Sequence, residues 1–249
     1  MDMGLAGRTV IVTGATGGLG DPIARRFAAE GADVVLTYHG AAEKAEKLAA
    51  DLGGRTLVAR FDLGDPSTAR DLIEAVIAWS GRIDVLVNNA VRWGSAQPGG
   101  SFDDTPEDLW QRVVRDNIEG VLTLSRLVVP HMRERGWGRL VHVSSSIATQ
   151  GMAGGEFYGA AKSALHGFNR SAAFSLGGSG DILTNVVSPG LTRTATNGHI
   201  VDSVPESYLE QIPLGRLLTA EEIAAPVVFL ASAANTGITG QVIAVDGGC

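Results

Sequence analysis

Short runs of β-branched and aliphatic residues recur along the chain, separated by longer stretches in which apolar residues return every three or four positions. The runs Thr9–Thr13, Asp33–Tyr38, Thr56–Asp62, Ile83–Asn88, Leu140–Ser144, Leu183–Val187 and Val242–Val245 read as strands. The segments Pro22–Glu30, Ala41–Leu52, Ser67–Trp79, Pro106–Arg135, Tyr158–Leu176 and Ala220–Ala231 read as helices. Pro22, Pro66 and Pro106 stand at or near helix starts, where a missing N–H costs nothing. Strands apolar on both faces belong to a parallel sheet covered on both sides, so the alternation predicts an α/β fold with a doubly wound, seven-stranded parallel sheet and helices on both faces. No composition break marks a linker and no motif returns at a fixed period, so residues 1–249 are expected to form a single domain. The least regular stretch, Thr192–Pro213, is expected to be a substrate lid inserted after the sixth strand.

Composition narrows the class. Hydrophobic residues make up 45% of the chain, yet no uninterrupted apolar run is long enough to span a bilayer. The first ten residues include Asp2 and Arg8 and lack the basic-then-apolar layout of a secretory signal, so a cytoplasmic protein is expected. Cys249 is the single cysteine, which excludes an internal disulfide and a cysteine-rich metal site. His131, His142, His166 and His199 show no ligand spacing with carboxylates, and no metal is expected. A net charge of −7 argues against nucleic acid or an anionic membrane as partner.

Thr13-Gly14-Ala15-Thr16-Gly17-Gly18-Leu19-Gly20 joins the first strand to the first helix. A glycine-rich turn there lets backbone N–H groups and the positive end of a helix face a pyrophosphate. A second signal is Tyr158-Gly159-Ala160-Ala161-Lys162, which puts a phenol and an ammonium on one helix face, one turn apart. Free tyrosine holds its proton to a pH of about 10, so an adjacent cation is the expected means of favouring the phenolate.

Together these residues resemble the short-chain dehydrogenase/reductase family, whose Rossmann-type fold the alternation also suits. The turn matches T-G-x-x-x-G-x-G through Gly14, Gly18 and Gly20, with Thr16 and Leu19 as further cofactor contacts. Asp62-Leu63 follows the third strand, where the family contacts adenine, and Asn88-Asn89-Ala90 follows the fourth, so Asn89 and Ala90 are placed beside the cofactor. The resemblance maps the catalytic serine onto Ser145, between Ser144 and Ser146, and a helix asparagine onto Asn117, which in the family supports a local helix break and a water leading from Lys162 to solvent. The implied catalytic set is Asn117, Ser145, Tyr158 and Lys162, with Tyr158 and Lys162 also touching the cofactor. Pro189 and Gly190, the Thr192 backbone and the Thr194 hydroxyl match the family's carboxamide-binding loop, and matching features run to Asp246-Gly247-Gly248. Val91 departs from a usual glycine, and Asp21-Pro22 from a usual basic or small helix opening.

Thr37-Tyr38-His39-Gly40 ends the second strand without the carboxylate that repels an extra phosphate, so NADP(H) is expected over NAD(H), with Tyr38 and His39 in contact and Lys44 close by. Gly17 stands where the family often carries a base. The resemblance implies a ketoreductase giving hydride and proton to a carbonyl, of a rather apolar ketone such as a polycyclic polyketide. Val91, Trp93, Ser145, Gln150, Met152, Phe157, Leu191, Ile200, Val204 and Tyr208 are the candidate substrate contacts. The alternatives are a 3-oxoacyl-carrier-protein reductase, an alcohol dehydrogenase working oxidatively, and a non-catalytic cofactor sensor. Acyl carrier protein is the less favoured partner, because Leu176-Gly177-Gly178-Ser179-Gly180-Asp181 lacks an expected arginine, although Arg133, Arg135 and Arg139 remain. Family members usually form tetramers through the Pro106 and Tyr158 helices, and a homotetramer is expected.

Overall fold

In the computed structural model, which describes residues 2–94 and 101–249, every residue of strand β1 (Thr9–Val12) is buried, as an interior strand covered on both faces requires. With β2 (Asp33–Tyr38), β3 (Thr56–Arg60), β4 (Val85–Asn88), β5 (Trp137–Val143) and β6 (Asp181–Pro189) it builds most of one parallel sheet. A two-stranded parallel pair, β7 (Thr192–Arg193) with β8 (Leu218–Thr219), lies apart, and β9 (Val242–Val245) completes the main sheet in the order β3-β2-β1-β4-β5-β6-β9. The helices are α1 (Gly20–Ala29), α2 (Ala42–Leu52), α3 (Pro66–Ser80), α4 (Glu107–Arg135), α5 (Ile147–Gln150), α6 (Glu156–Leu176), α7 (Gly198–Val201), α8 (Glu206–Leu209) and α9 (Ala220–Leu230).

Strand alternation divides the core in two. Val10, Val12, Val34, Leu36, Val85 and Val87 pack with Ile23, Phe27, Leu48 and Val227 of α1, α2 and α9. Ile11, Val35, Leu86 and Leu140 face the other way, onto Leu72 of α3 and Leu124, Val128 and Met132 of α4. The strand order reverses between β1 and β4, which opens a crevice at the carboxyl ends of these strands. The stretch Thr192–Pro213 is more ordered than its sequence suggests, since it holds β7 and the single-turn helices α7 and α8. One helical turn carries too few residues to show a period.

Beneath the crevice a buried polar chain crosses the sheet. Asn88 Nδ2 donates to His142 Nδ1 (3.0 Å) and to Ser125 Oγ (3.1 Å), which leaves the imidazole proton on Nε2, facing Thr184 Oγ1 at 3.3 Å. Thr184 in turn donates to Asn169 Oδ1 (2.8 Å). His142 is wholly buried, and desolvation first, with the nearby Lys162 charge second, pushes its pKa down to about 4. The unfolded chain therefore takes up this proton at a higher pH than the folded one. Stability present above pH ~6.5 should drain away as the pH falls towards 4, by about 3 kcal/mol in total. In urea titrations at pH 7 and pH 5, His142→Asn is expected to show a smaller acid loss than the parent, and equal losses would assign the acid sensitivity elsewhere.

Candidate active site

The crevice is laced together by Thr13. Its Oγ1 accepts the N–H groups of Asn89 (2.8 Å) and Ala90 (2.9 Å) and donates to the Val87 carbonyl (3.1 Å). Asn89 Nδ2 donates back to the carbonyls of Thr13 (2.8 Å) and Gly14 (3.2 Å), so this side chain shapes the site by holding the turn. Sequence reasoning placed Asn89 but gave Thr13 no site role, although it opens the T-G-x-x-x-G-x-G turn. Gly14 has φ +63°, and a Cβ there would lie 3.0 Å from Ala90 Cα. At Gly20 a Cβ would meet the Gly14 carbonyl oxygen at 2.1 Å, and at Gly18 it would meet Thr194 Oγ1 at 2.5 Å and Thr196 Oγ1 at 2.8 Å. Thr16 is half-buried in the turn, and Leu19 packs against the core at the start of α1. The glycines thus let the strand end, the turn, the start of α1 and the Thr194 loop pack closely into a cradle at the switch point, and a strand–turn–helix of this kind fits the pyrophosphate of a dinucleotide. Asp21 pairs with Arg25 (2.6 Å) on the exposed side of α1, which removes the conflict its charge would otherwise create.

The loop after β6 closes the other side. Pro189 is buried, and its carbonyl accepts from Ser146 N (2.8 Å), tying this loop to the serine segment. Gly190 lies against Asp246, and Thr192 Oγ1 donates to the Gly190 carbonyl at 2.8 Å. Asn197, which sequence reasoning missed, accepts from Thr194 N and donates to the Thr192 carbonyl, both at 2.8 Å, and so sets the Thr194 hydroxyl over Gly18. A short-range asparagine in a loop was the available signal. At the ends of β2 and β3, where adenosine is expected, Tyr38 is half-buried, His39 is exposed beside Asp62, and Leu63 packs so closely on Gly120 of α4 that a Cβ there would sit 2.7 Å from the Leu63 carbonyl oxygen.

The three serines after β5 separate by environment. Ser144 is buried and occupied by the Lys162 carbonyl (3.3 Å) and His166 Nε2 (2.8 Å). Ser146 is buried as well, whereas Ser145 is partly exposed, accepts from Ile147 N (3.3 Å) and lies close enough to Tyr158 to act on its phenol. Tyr158 lies in the first turn of α6, and its ring packs on Trp93 with centroids 4.4 Å apart. Burial raises the Tyr158 pKa above its ordinary value, against which the Ser145 hydrogen bond acts in the lowering direction. The Lys162 ammonium lies 5.7 Å from the ring centroid and donates to the Val143 carbonyl (2.8 Å), while its own burial pushes its pKa down to about 8. The phenol keeps its proton.

Asn117 is buried, and its side chain clamps the main chain of Arg92, accepting from the N–H (3.0 Å) and donating to the carbonyl (2.7 Å). Its Nδ2 also reaches the Val113 carbonyl (2.8 Å), and α4 is helical throughout, so the implied break is not seen. Of the candidate substrate contacts, Trp93 touches Tyr158, Phe157 stacks on Trp110 at 5.2 Å, and Val91 is 47% exposed. Gln150 and Met152 line a groove of about 380 Å³ between α5 and α6 whose lining includes none of Ser145, Tyr158 and Lys162. Leu191 is half-buried beside Thr192, Ile200 and Val204 lie in and just after α7, and Tyr208 sits near Asp246 and Cys249. Arg139 is completely buried, bonded to the carbonyls of Ser232 and Asp181, so it cannot meet a partner. Arg133 holds Ser179 (3.2 Å) and Arg135 the Gly81 carbonyl (2.8 Å), both at the end of the sheet opposite the crevice.

A glycine cradle at the switch point of a parallel sheet, with a serine, tyrosine and lysine beside it, defines a dinucleotide-dependent oxidoreductase. The family described as enoyl-(acyl carrier protein) reductase matches residues 14–249, and the chain belongs to the short-chain dehydrogenase/reductase family. It is 37% identical to a meso-2,3-butanediol dehydrogenase of Serratia marcescens over 97% of this chain and 94% of the relative. It is 35% identical to a 3-oxoacyl-[acyl-carrier-protein] reductase of Salmonella typhimurium over 99% of this chain and 98% of that one. A solved short-chain dehydrogenase/reductase family protein superposes with a TM-score of 0.87 at 37% identity, covering 100% of this chain and 98% of the other. The protein is thus an oxidoreductase acting between CH–OH and C=O groups with a nicotinamide cofactor. Among the described residues no helix is long and apolar enough to cross a membrane.

Proposed function

We propose that the protein is an NADPH-dependent ketoreductase, cytoplasmic and tetrameric, acting on a rather apolar cyclic ketone of the polycyclic polyketide kind. The observation that carries this reading is the buried Tyr158 phenol, its pKa raised by desolvation, with Ser145 beside it and the Trp93 indole on its ring. The Gly14–Gly20 turn and the Pro189–Thr194 loop would hold the reduced dinucleotide, which would supply hydride to the carbonyl carbon. Tyr158 gives its proton to the carbonyl oxygen, and the Ser145 hydroxyl donates to that oxygen as charge grows on it. Lys162 remains largely protonated at neutral pH with a pKa of about 8, and holds positive charge near the phenolate left after transfer. Asn117 contributes by fixing Arg92, and with it the approach of Trp93 to Tyr158.

Carrier-linked substrates are less well supported, since Arg139 is buried and Arg133 and Arg135 face away from the crevice. A panel of free cyclic ketones, short aliphatic ketones and carrier-linked 3-oxoacyl thioesters, read by NADPH consumption, tests the proposal. Cyclic ketones are expected to give kcat/KM at least tenfold above the other two groups. A preference for the carrier-linked thioester would replace this reading with the acyl-carrier one.

A further inference from the structure

Two arginines and a histidine from three different segments surround the Asp62 carboxylate at the adenosine end of the crevice. His39 Nε2 lies at 3.1 Å, Arg60 Nη2 at 3.7 Å and Arg92 Nη2 at 3.5 Å. They are not equivalent. Arg92 is pinned, because its Nε donates to Asp116 of α4 while Asn117 grips its main chain on both sides. Asp116 is 3% exposed, its Oδ1 has no hydrogen-bond partner, and Arg115 approaches that oxygen only to 3.6 Å, so the buried charge depends on Arg92. Arg92 therefore stays where it is and offsets the negative charge of Asp62.

Arg60 is held far more loosely. Its one ion pair among the described residues is the 3.7 Å contact, longer than a hydrogen bond, and its side chain is 51% exposed. Its other acidic neighbour, Asp65, is committed to Ser67 at the start of α3 through N (2.9 Å) and Oγ (2.7 Å). The β2–β3 register sets Arg60 directly beside Tyr38 at the strand ends, next to His39. These are the residues that close the crevice where a second strand ends without a carboxylate. A guanidinium there offers paired N–H groups to a phosphate at the cost of one weak contact.

We propose that Arg60, assisted by His39, is the specificity-determining residue that selects an adenosine bearing a 2′-phosphate, with the Asp62 charge already compensated by Arg92. The base absent from the glycine-rich turn at Gly17 is thereby supplied from the neighbouring strand β3. This rests on the reading that a dinucleotide occupies the crevice, and it goes further by naming the residue that sets which one.

The test is direct binding. NADPH, NADH and 2′,5′-ADP would be titrated at one fixed salt concentration into the parent protein, Arg60→Ala and Arg60→Lys, with thermal melting as a fold control. Arg60→Ala is expected to weaken NADPH and 2′,5′-ADP at least tenfold and to leave NADH within twofold, and Arg60→Lys to recover part of the loss. An unchanged ratio of NADPH to NADH affinity in Arg60→Ala overturns the inference alone. A parent protein that binds neither dinucleotide overturns both the inference and the proposed function.

Discussion

Replacing Tyr158 by Phe is expected to lower kcat by about 10²–10⁴-fold while dinucleotide affinity and melting temperature stay close to those of the parent. The variant keeps the ring that packs on Trp93, so the wall of the crevice is preserved, and it removes only the hydroxyl that Ser145 faces. Loss of the proton donor leaves the developing oxyanion with the Ser145 hydroxyl alone, which stabilises charge but transfers no proton in place of the phenol. The measurement is steady-state NADPH oxidation with the best ketone of the panel, alongside NADPH titration. Turnover within a few-fold of the parent would remove Tyr158 from the role of acid.

Gly20→Ala is expected to be the most damaging single added methyl group among the described glycines. Its Cβ would sit 2.1 Å from the Gly14 carbonyl oxygen and 2.8 Å from Ala15 Cα, both backbone atoms. The Gly14 carbonyl cannot easily retreat, because it also accepts from Gly17 N (3.0 Å) and Asn89 Nδ2 (3.2 Å). Relief would have to come from moving the turn away from the end of β4, so a loss of about 3 kcal/mol or more is expected, together with loss of dinucleotide binding. Gly237→Ala, where an added Cβ meets nothing within 4 Å, is the matched control and should change neither property. Urea unfolding and NADPH titration of both variants decide the matter, and a Gly20→Ala protein as stable and as tight-binding as the control would show the turn to be pliable.

Much of this was legible before any coordinates. The strand runs were visible because interior parallel strands are apolar on both faces, and the long helices because their buried stripes recur with helical period. The turn at Gly14–Gly20 and the Tyr158–Lys162 spacing were visible because their chemistry is local. What escaped were contacts between segments distant in sequence. Arg139 reads as a surface charge, yet it is buried where carbonyls of Gly138, Asp181, Ser232 and Asn235 meet around it. The choice among Ser144, Ser145 and Ser146 turns on which hydroxyls α6 and the Pro189 loop cover.

By itself, then, the chain's pattern determined the class of sheet, the turn after its first strand, and the resemblance to the family. Period and local spacing are properties of neighbouring residues and need no third dimension. The raised pKa of Tyr158, the indole on its ring, and the gathering of His39, Arg60 and Arg92 around Asp62 were decided only in the folded molecule. Desolvation and charge compensation depend on which distant side chains arrive at the same place, and that is set by packing of β3, α4 and the segment after β4.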